Sequence, residues 1–230
     1  MPHNSARHAL VHHHLLAGIV RDGRAPALAA LAEAASVSPA DVAASLGRLA
    51  EGHGLVLHPG TTEVWIAHPF SLSPTGVWVA ADDGRGWWAP CLWCATGIAA
   101  LVARPVVVHA RIGGEAEAVA IPLADGRAGD DVVVHFALPP RDAWSNVVHY
   151  CACVLPFRAA ADVDAWCARH RLPRGEVVPL AQVADLGCAW YGRHLDRDWR
   201  KWTVPEAQAI FERVGLGGPF WSLPAADGAF

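Results

Sequence analysis

The sequence predicts an α+β chain in two parts. A winged-helix-like domain of three helices and a hairpin occupies residues 1–70, and a mainly antiparallel sheet with helices occupies 71–230. Three observations predict it. Three consecutive segments carry apolar residues at helical spacing, each closed by a stop signal. A Pro-Gly turn then separates two short strand-like runs. Beyond residue 70, valine-rich runs alternate with turns before the last helical stretches.

Residues 8–22 set Leu10, Val11, Leu15, Leu16, Ile19 and Val20 on a helical period and stop at Asp22-Gly23. His12-His13-His14 falls inside this helix, so it reads as part of the helix rather than as a metal site. Pro26 opens a second helix over Ala27–Ala35, at a position where its missing N–H costs nothing. Ser38-Pro39-Ala40-Asp41 resembles an N-cap, with a carboxylate in the first turn favoured by the helix dipole. The third helix runs to about Glu51 with Val42, Leu46 and Leu49 on one face. Leu55–His58 and Glu63–Ala67 flank Pro59-Gly60-Thr61-Thr62 as a hairpin. In the second part Val77–Ala80 reads as a strand, Asp82–Gly86 as a turn and Cys91–Val102 as a buried helix. Further strands are expected at Val106–Val108, Ala118–Ile121, Val132–Phe136 and Val147–Leu155, and further helices at Asp162–His170, Ala181–His194 and Pro205–Val214.

Composition narrows the function. A hydrophobic fraction of 53% with 17% charged residues supports a sizeable buried core. The net charge of −4 does not point to nucleic acid or an anionic membrane. The third helix offers Ser45 and a single basic side chain, Arg48, where a recognition helix needs several phosphate- and base-contacting groups, which argues against DNA as a partner. No apolar run is long enough to span a bilayer. Met1–His8 leads into histidines rather than an apolar signal segment, so a cytoplasmic location is expected. In that compartment six cysteines read as ligands, catalytic groups or packing residues rather than disulfides.

The cysteines are unevenly spaced. Cys91-Leu92-Trp93-Cys94 opens the buried helix, where the dipole favours thiolates and a spacing of three keeps both sulfurs on one turn. Tyr150-Cys151-Ala152-Cys153 falls on an expected strand, whose alternation puts both sulfurs on one face and His149 on the other. Together they form either a three- or four-sulfur site for Hg(II), Cu(I) or Zn(II), or a set of buried packing residues. A redox CxxC belongs near a βαβ unit, which the pattern lacks. Cys167 and Cys188, on apolar helical faces, read as packing residues. Asp82 and Asp83 read as a solvated turn, and Trp87, Trp88 and Trp93 as packing or as an aromatic wall beside the sulfurs.

The segment Trp87-Trp88-Ala89-Pro90-Cys91-Leu92-Trp93-Cys94-Ala95-Thr96-Gly97-Ile98 is similar to the active-site segment of the alkylmercury (organomercurial) lyases. Tyr150-Cys151, Phe157, Trp166 and Tyr191-Gly192-Arg193-His194-Leu195 resemble that family's second catalytic cysteine and C-terminal part. The three helices and hairpin match its layout. The resemblance implies that two thiolates bind the mercury of R–Hg–X while a positioned acid delivers a proton to carbon, with no cofactor. Cys91 is then the first mercury thiolate and Cys151 the second, and Cys94 stands where the family carries aspartate. Its thiol, with an ordinary pKa of about 8.5 against about 4 for a carboxyl, either donates the proton or becomes a third metal ligand. Three further readings stand beside cleavage of a carbon–mercury bond. One is a non-catalytic soft-metal (Hg, Cu or Zn) protein using Cys91, Cys94, Cys151 and Cys153. Another is a family member recruited to other small-molecule, biosynthetic chemistry. The last is a metal-responsive DNA-binding regulator, disfavoured by the weakly basic third helix. The expected partners are a small organometal or other organic substrate and small thiols.

Overall fold

The computed structural model describes residues 2–124, 127–128 and 132–224. Helix α1 (Pro2–Asp22) starts earlier than its apolar period, and α2 (Leu28–Ala35) and α3 (Pro39–Glu51) pack against it. Val11, Leu15, Leu16 and Ile19 from α1 meet Leu31, Val42 and Leu46 in the shared core. The expected cap of α3 forms in full: Ser38 Oγ accepts from the Asp41 N–H, and the Asp41 carboxylate accepts from the Ser38 N–H. Ser45 is fully buried beside His8 Nδ1 at 3.0 Å, and Arg48 is paired with Glu51.

The hairpin is β1 (Val56–Leu57) with β2 (Val64–Ala67), and it does not stand apart. β2 pairs with β3 (Phe70–Ser71), which pairs with β5 (Gly86–Trp88), the partner of β4 (Trp78–Ala81). After α4 (Leu92–Val102), strands β6 (Val106–Arg111), β7 (Ala118–Ala124) and β8 (Arg127–Ala128) complete one antiparallel sheet in the order β1-β2-β3-β5-β4-β6-β7-β8. The Trp87 indole N–H donates to the Ile19 carbonyl at 2.8 Å, fastening α1 to this sheet. Gly86 is the first residue of β5 rather than the end of a turn, because the hairpin closes earlier, with Ala81 N–H donating to Arg85 O at 2.9 Å. Asp83 sits in that turn as expected, bound by Arg85 and Arg104.

One expected element is corrected. Residues Val147–Ala152 form helix α5, and a strand begins only at Val154, as β10 (Val154–Phe157). Asn146 caps α5 by accepting from the His149 N–H at 3.0 Å, and Cys153 ends it. The β-branched pair Val147-Val148 and the short apolar run suggested a strand, but one turn of helix and one strand cannot be told apart by periodicity over so few residues. β10 joins β9 (Val133–Phe136) and β11 (Glu176–Pro179) in a second antiparallel sheet, with α6 (Ala160–His170) between β10 and β11 in sequence.

Helix α7 (Leu180–Tyr191) lies directly on α4, and α8 (Val204–Arg213) follows. The α4–α7 approach is close because glycine faces it from both sides. A Cβ on Gly187 would stand 2.2 Å from Thr96 Oγ1, and one on Gly97 would stand 2.2 Å from Tyr191 Cδ2. Every residue of α4 from Leu92 to Ala99 is buried, so the helix that carries the cysteine pair sits inside the core. No helix among the described residues is long and apolar enough to cross a membrane.

Candidate thiolate site

Cys91 is the N-cap of α4, in extended conformation, and its sulfur accepts from the Cys94 N–H at 3.5 Å. A sulfur stands here in the place of the usual capping oxygen, at the positive end of the helix dipole. Cys94, one turn on, is equally buried. Cys151 reaches the same region from α5: its sulfur lies within 4.8 Å of the Cys94 sulfur, and it lines one cavity together with Cys91. The three cysteines expected to act together therefore do meet.

The fourth does not join them. Cys151 and Cys153 lie on a helix and at its end, not on one face of a strand, and Cys153 is half-buried with its sulfur 4.0 Å from His149 Nδ1. His149 is exposed, on the far side of α5 from the cluster. Cys167 lies in a satellite core with Phe157, Val163 and Trp166, in keeping with a packing role.

Two side chains complete the site that residue spacing did not reveal. His68 Nδ1 is 3.8 Å from Cys94 Sγ, and the Tyr191 hydroxyl is 3.6 Å from the same sulfur. The donor atoms of His68, Cys94 and Cys151 all lie within 4.8 Å of one another, and all three residues are buried. His68 stands alone before a proline, with no ligand spacing around it to mark it in the sequence. Tyr191 stood in the stretch resembling the family's C-terminal part without an assigned role.

The protonation pattern is asymmetric. Burial alone would push the Cys91 thiol up, but donation from Cys151, Cys94 and the Cys94 N–H overcomes it and holds Cys91 well below the ordinary thiol range. Burial pushes Cys94 well up, and its donation to Cys91 adds to that. Cys151 is also pushed well up, first because it donates to Cys91 and Cys94. The shifts thus run in opposite directions across the cluster, favouring ionisation at Cys91 and retention of the proton at Cys94 and Cys151. Desolvation pulls His68 down to about 4, so it is neutral beside them.

A narrow cleft leads to Cys94 and Cys151 between the rings of Trp93, Tyr150, Trp190, Tyr191, Trp199 and Trp202. Its cavity volume is about 50 Å³, several times what a single water needs. Trp93 belongs to this wall; Trp87 and Trp88 do not, being held by Ile19 and by Trp78 respectively. Lys201, the chain's single lysine, stands at the cleft with its ammonium on the Gly52 carbonyl at 2.7 Å, and burial lowers it to about 8.

No curated protein matches the chain. Among solved structures, the mercury-bound form of MerB2 superposes with a TM-score of 0.63 at 18% identity, over 86% of this chain and 99% of that one, which establishes the shared fold. The family model MerB, alkylmercury lyase, matches residues 70–192, a span that holds all three clustered cysteines and Tyr191. With more than half of its length matched, the chain belongs to the alkylmercury lyase family.

Proposed function

We propose that this chain cleaves the carbon–mercury bond of small organomercurials by protonolysis, holding mercury on Cys91 and Cys151 and using Cys94 as proton donor. The observation that carries this reading is the gathering of three buried cysteines, of which Cys94 and Cys151 open onto an aromatic-walled cleft while Cys91 caps the helix that carries Cys94.

The Cys91 thiolate displaces the ligand X from R–Hg–X, a favourable exchange because sulfur is the preferred partner of a soft cation. The organic group lies in the cleft on the Cys94 side. As the Cys151 sulfur bonds mercury, the Cys94 proton passes to the departing carbon to release R–H. The Cys151 proton restores Cys94, leaving Hg(II) on two sulfurs. Tyr191 and His68 orient the Cys94 thiol, and the surrounding rings exclude water that would otherwise compete for the proton. No cofactor is required. Small thiols are the expected co-reactants, and the cytoplasm, where thiols stay reduced, is the expected location. Incubation with phenylmercury and excess small thiol should release benzene. Release no greater than that of Cys91→Ser would refute the proposal. Cys94→Asp, which restores a carboxyl at the donor position, should raise the rate.

A second reading has its own support in the grouping of His68, Cys94 and Cys151 within 4.8 Å. Imidazole and thiolates at that spacing suit Cu(I), Zn(II) or Hg(II), in a protein that retains metal rather than turning over. Near-stoichiometric metal in the purified protein, lost in Cys94→Ser, would favour retention over catalysis.

A further inference from the structure

The Cys91–Cys151 pair is reached from two sides. A second cavity of about 340 Å³, against about 50 Å³ for the aromatic cleft, reaches Cys91 and Cys151. Cys94 lines the first cavity and not the second; Cys91 lines the second and not the first; Cys151 lines both. The sulfurs are therefore a partition between two spaces, with the proton donor on one side and the thiolate on the other.

The lining of the second cavity restricts what it takes. It is bounded by the loop around Thr75 and Gly76, by Ala110 and Arg111 of β6, and by the junction of α5 and β10. The Thr75 hydroxyl is engaged by the carbonyls of Val77 and Ala89. Apart from the cysteines, Arg111 is the one ionisable side chain among the described lining residues, and no carboxylate is present. Its guanidinium gives one N–H to the Ala116 carbonyl at 2.7 Å, out of five donors in a fork suited to carboxylates.

Resting on the lyase reading, we propose that this second cavity binds a small carboxylate-bearing thiol, which lifts Hg(II) off Cys91 and Cys151 from the face opposite the organic group. Two-coordinate mercury held by buried sulfurs leaves only by ligand exchange. Each incoming thiol forms a new Hg–S bond as one protein Hg–S bond breaks. Of the two thiol protons, one returns to Cys151 and one goes to solvent, leaving Cys91 as thiolate and Hg(SR)₂ as product. Nothing is oxidised or reduced. Separate faces let the hydrocarbon and the mercury depart without sharing one narrow cleft.

The test uses the full chain loaded with one equivalent of mercuric chloride, so that it does not depend on carbon–mercury cleavage. Mercury retained after mixing with mercaptosuccinate, or with cationic cysteamine, is followed in time. Arg111→Gln should slow removal by mercaptosuccinate about tenfold, as expected for loss of a charge-assisted contact, while leaving removal by cysteamine within twofold. Gly76→Phe, built where a Cβ meets nothing within 4 Å, should fill the cavity and slow both thiols. Loading of one equivalent by each variant reports that the site is folded. Equal slowing of both thiols by Arg111→Gln would overturn the anionic assignment, and rates unchanged in both variants would overturn the cavity's role. Absence of benzene release from phenylmercury would instead refute the lyase reading, whatever the removal rates.

Discussion

Acidification from pH 7 to pH 5 should cost this protein several kcal/mol of stability, through histidines rather than carboxylates. His12 is fully buried, stacked on Trp199 at 3.7 Å, and neither ring nitrogen has a partner among the described residues. Burial lowers it to about 3, and lowers His68 to about 4. His194, buried against Tyr191 and Trp199, is also pushed well down by burial. In the unfolded chain each titrates near 6.5. The folded values lie below the unfolded one, so the unfolded state binds more protons as pH falls. The stability contributed by neutral rings is full above about pH 6.5 and is lost as pH drops toward the folded values. Well below 6.5 the loss is about 1.4 kcal/mol per pH unit per histidine, or about 2 kcal/mol each between pH 7 and 5. For His12 and His68 together that is about 4 kcal/mol, a large share of the 5–15 kcal/mol typical of a domain. Asp83 and Glu206, held far down by arginine partners and capping contacts, act only below the ordinary carboxylate range and leave this window clear. The decisive variant is His12→Phe, which keeps an aromatic ring against Trp199 and removes the titration. Urea unfolding at pH 7, 6 and 5 should show the variant losing about 2 kcal/mol less than the parent over that interval. Equal losses in both proteins would refute the assignment of His12 as a buried neutral ring.

Other outcomes follow from the packing of the site. Gly97→Ala drives a Cβ to 2.2 Å from the Tyr191 ring, where ordinary contact begins near 3.4 Å. The expected cost is about 1–3 kcal/mol in urea unfolding, with benzene release reduced as the hydroxyl leaves Cys94. Cys151→Ser should abolish release, while Cys153→Ser, whose sulfur faces His149 outside the cluster, should retain activity within about twofold, as a substitution away from the chemistry does. A loss in Cys153→Ser equal to that in Cys151→Ser would return the fourth cysteine to the site.

What was legible in the sequence is what is written locally. The period of α1, the Ser38–Asp41 box, and Cys91 and Cys94 at the start of a buried helix each depend on residues within a few positions of one another. The family likeness added Cys151, because a motif remembers a contact that local physics does not encode. Where local signals were weak, the reading failed: Val147–Ala152 is too short and too apolar for its period to be decided, and Asn146 made it a helix. The site itself was a tertiary decision. His68 precedes β3, Cys94 follows β5, Cys151 lies in the last turn of α5 and Tyr191 ends α7, and only the close α4–α7 packing and the continuous sheet bring them within reach. The same packing leaves a cavity on each face of the sulfurs, a property of the space between elements that no segment carries alone. Sequence by itself determined which thiols were available; the tertiary structure decided which of them share one buried site and which cavity each one lines, because both depend on contacts between distant elements.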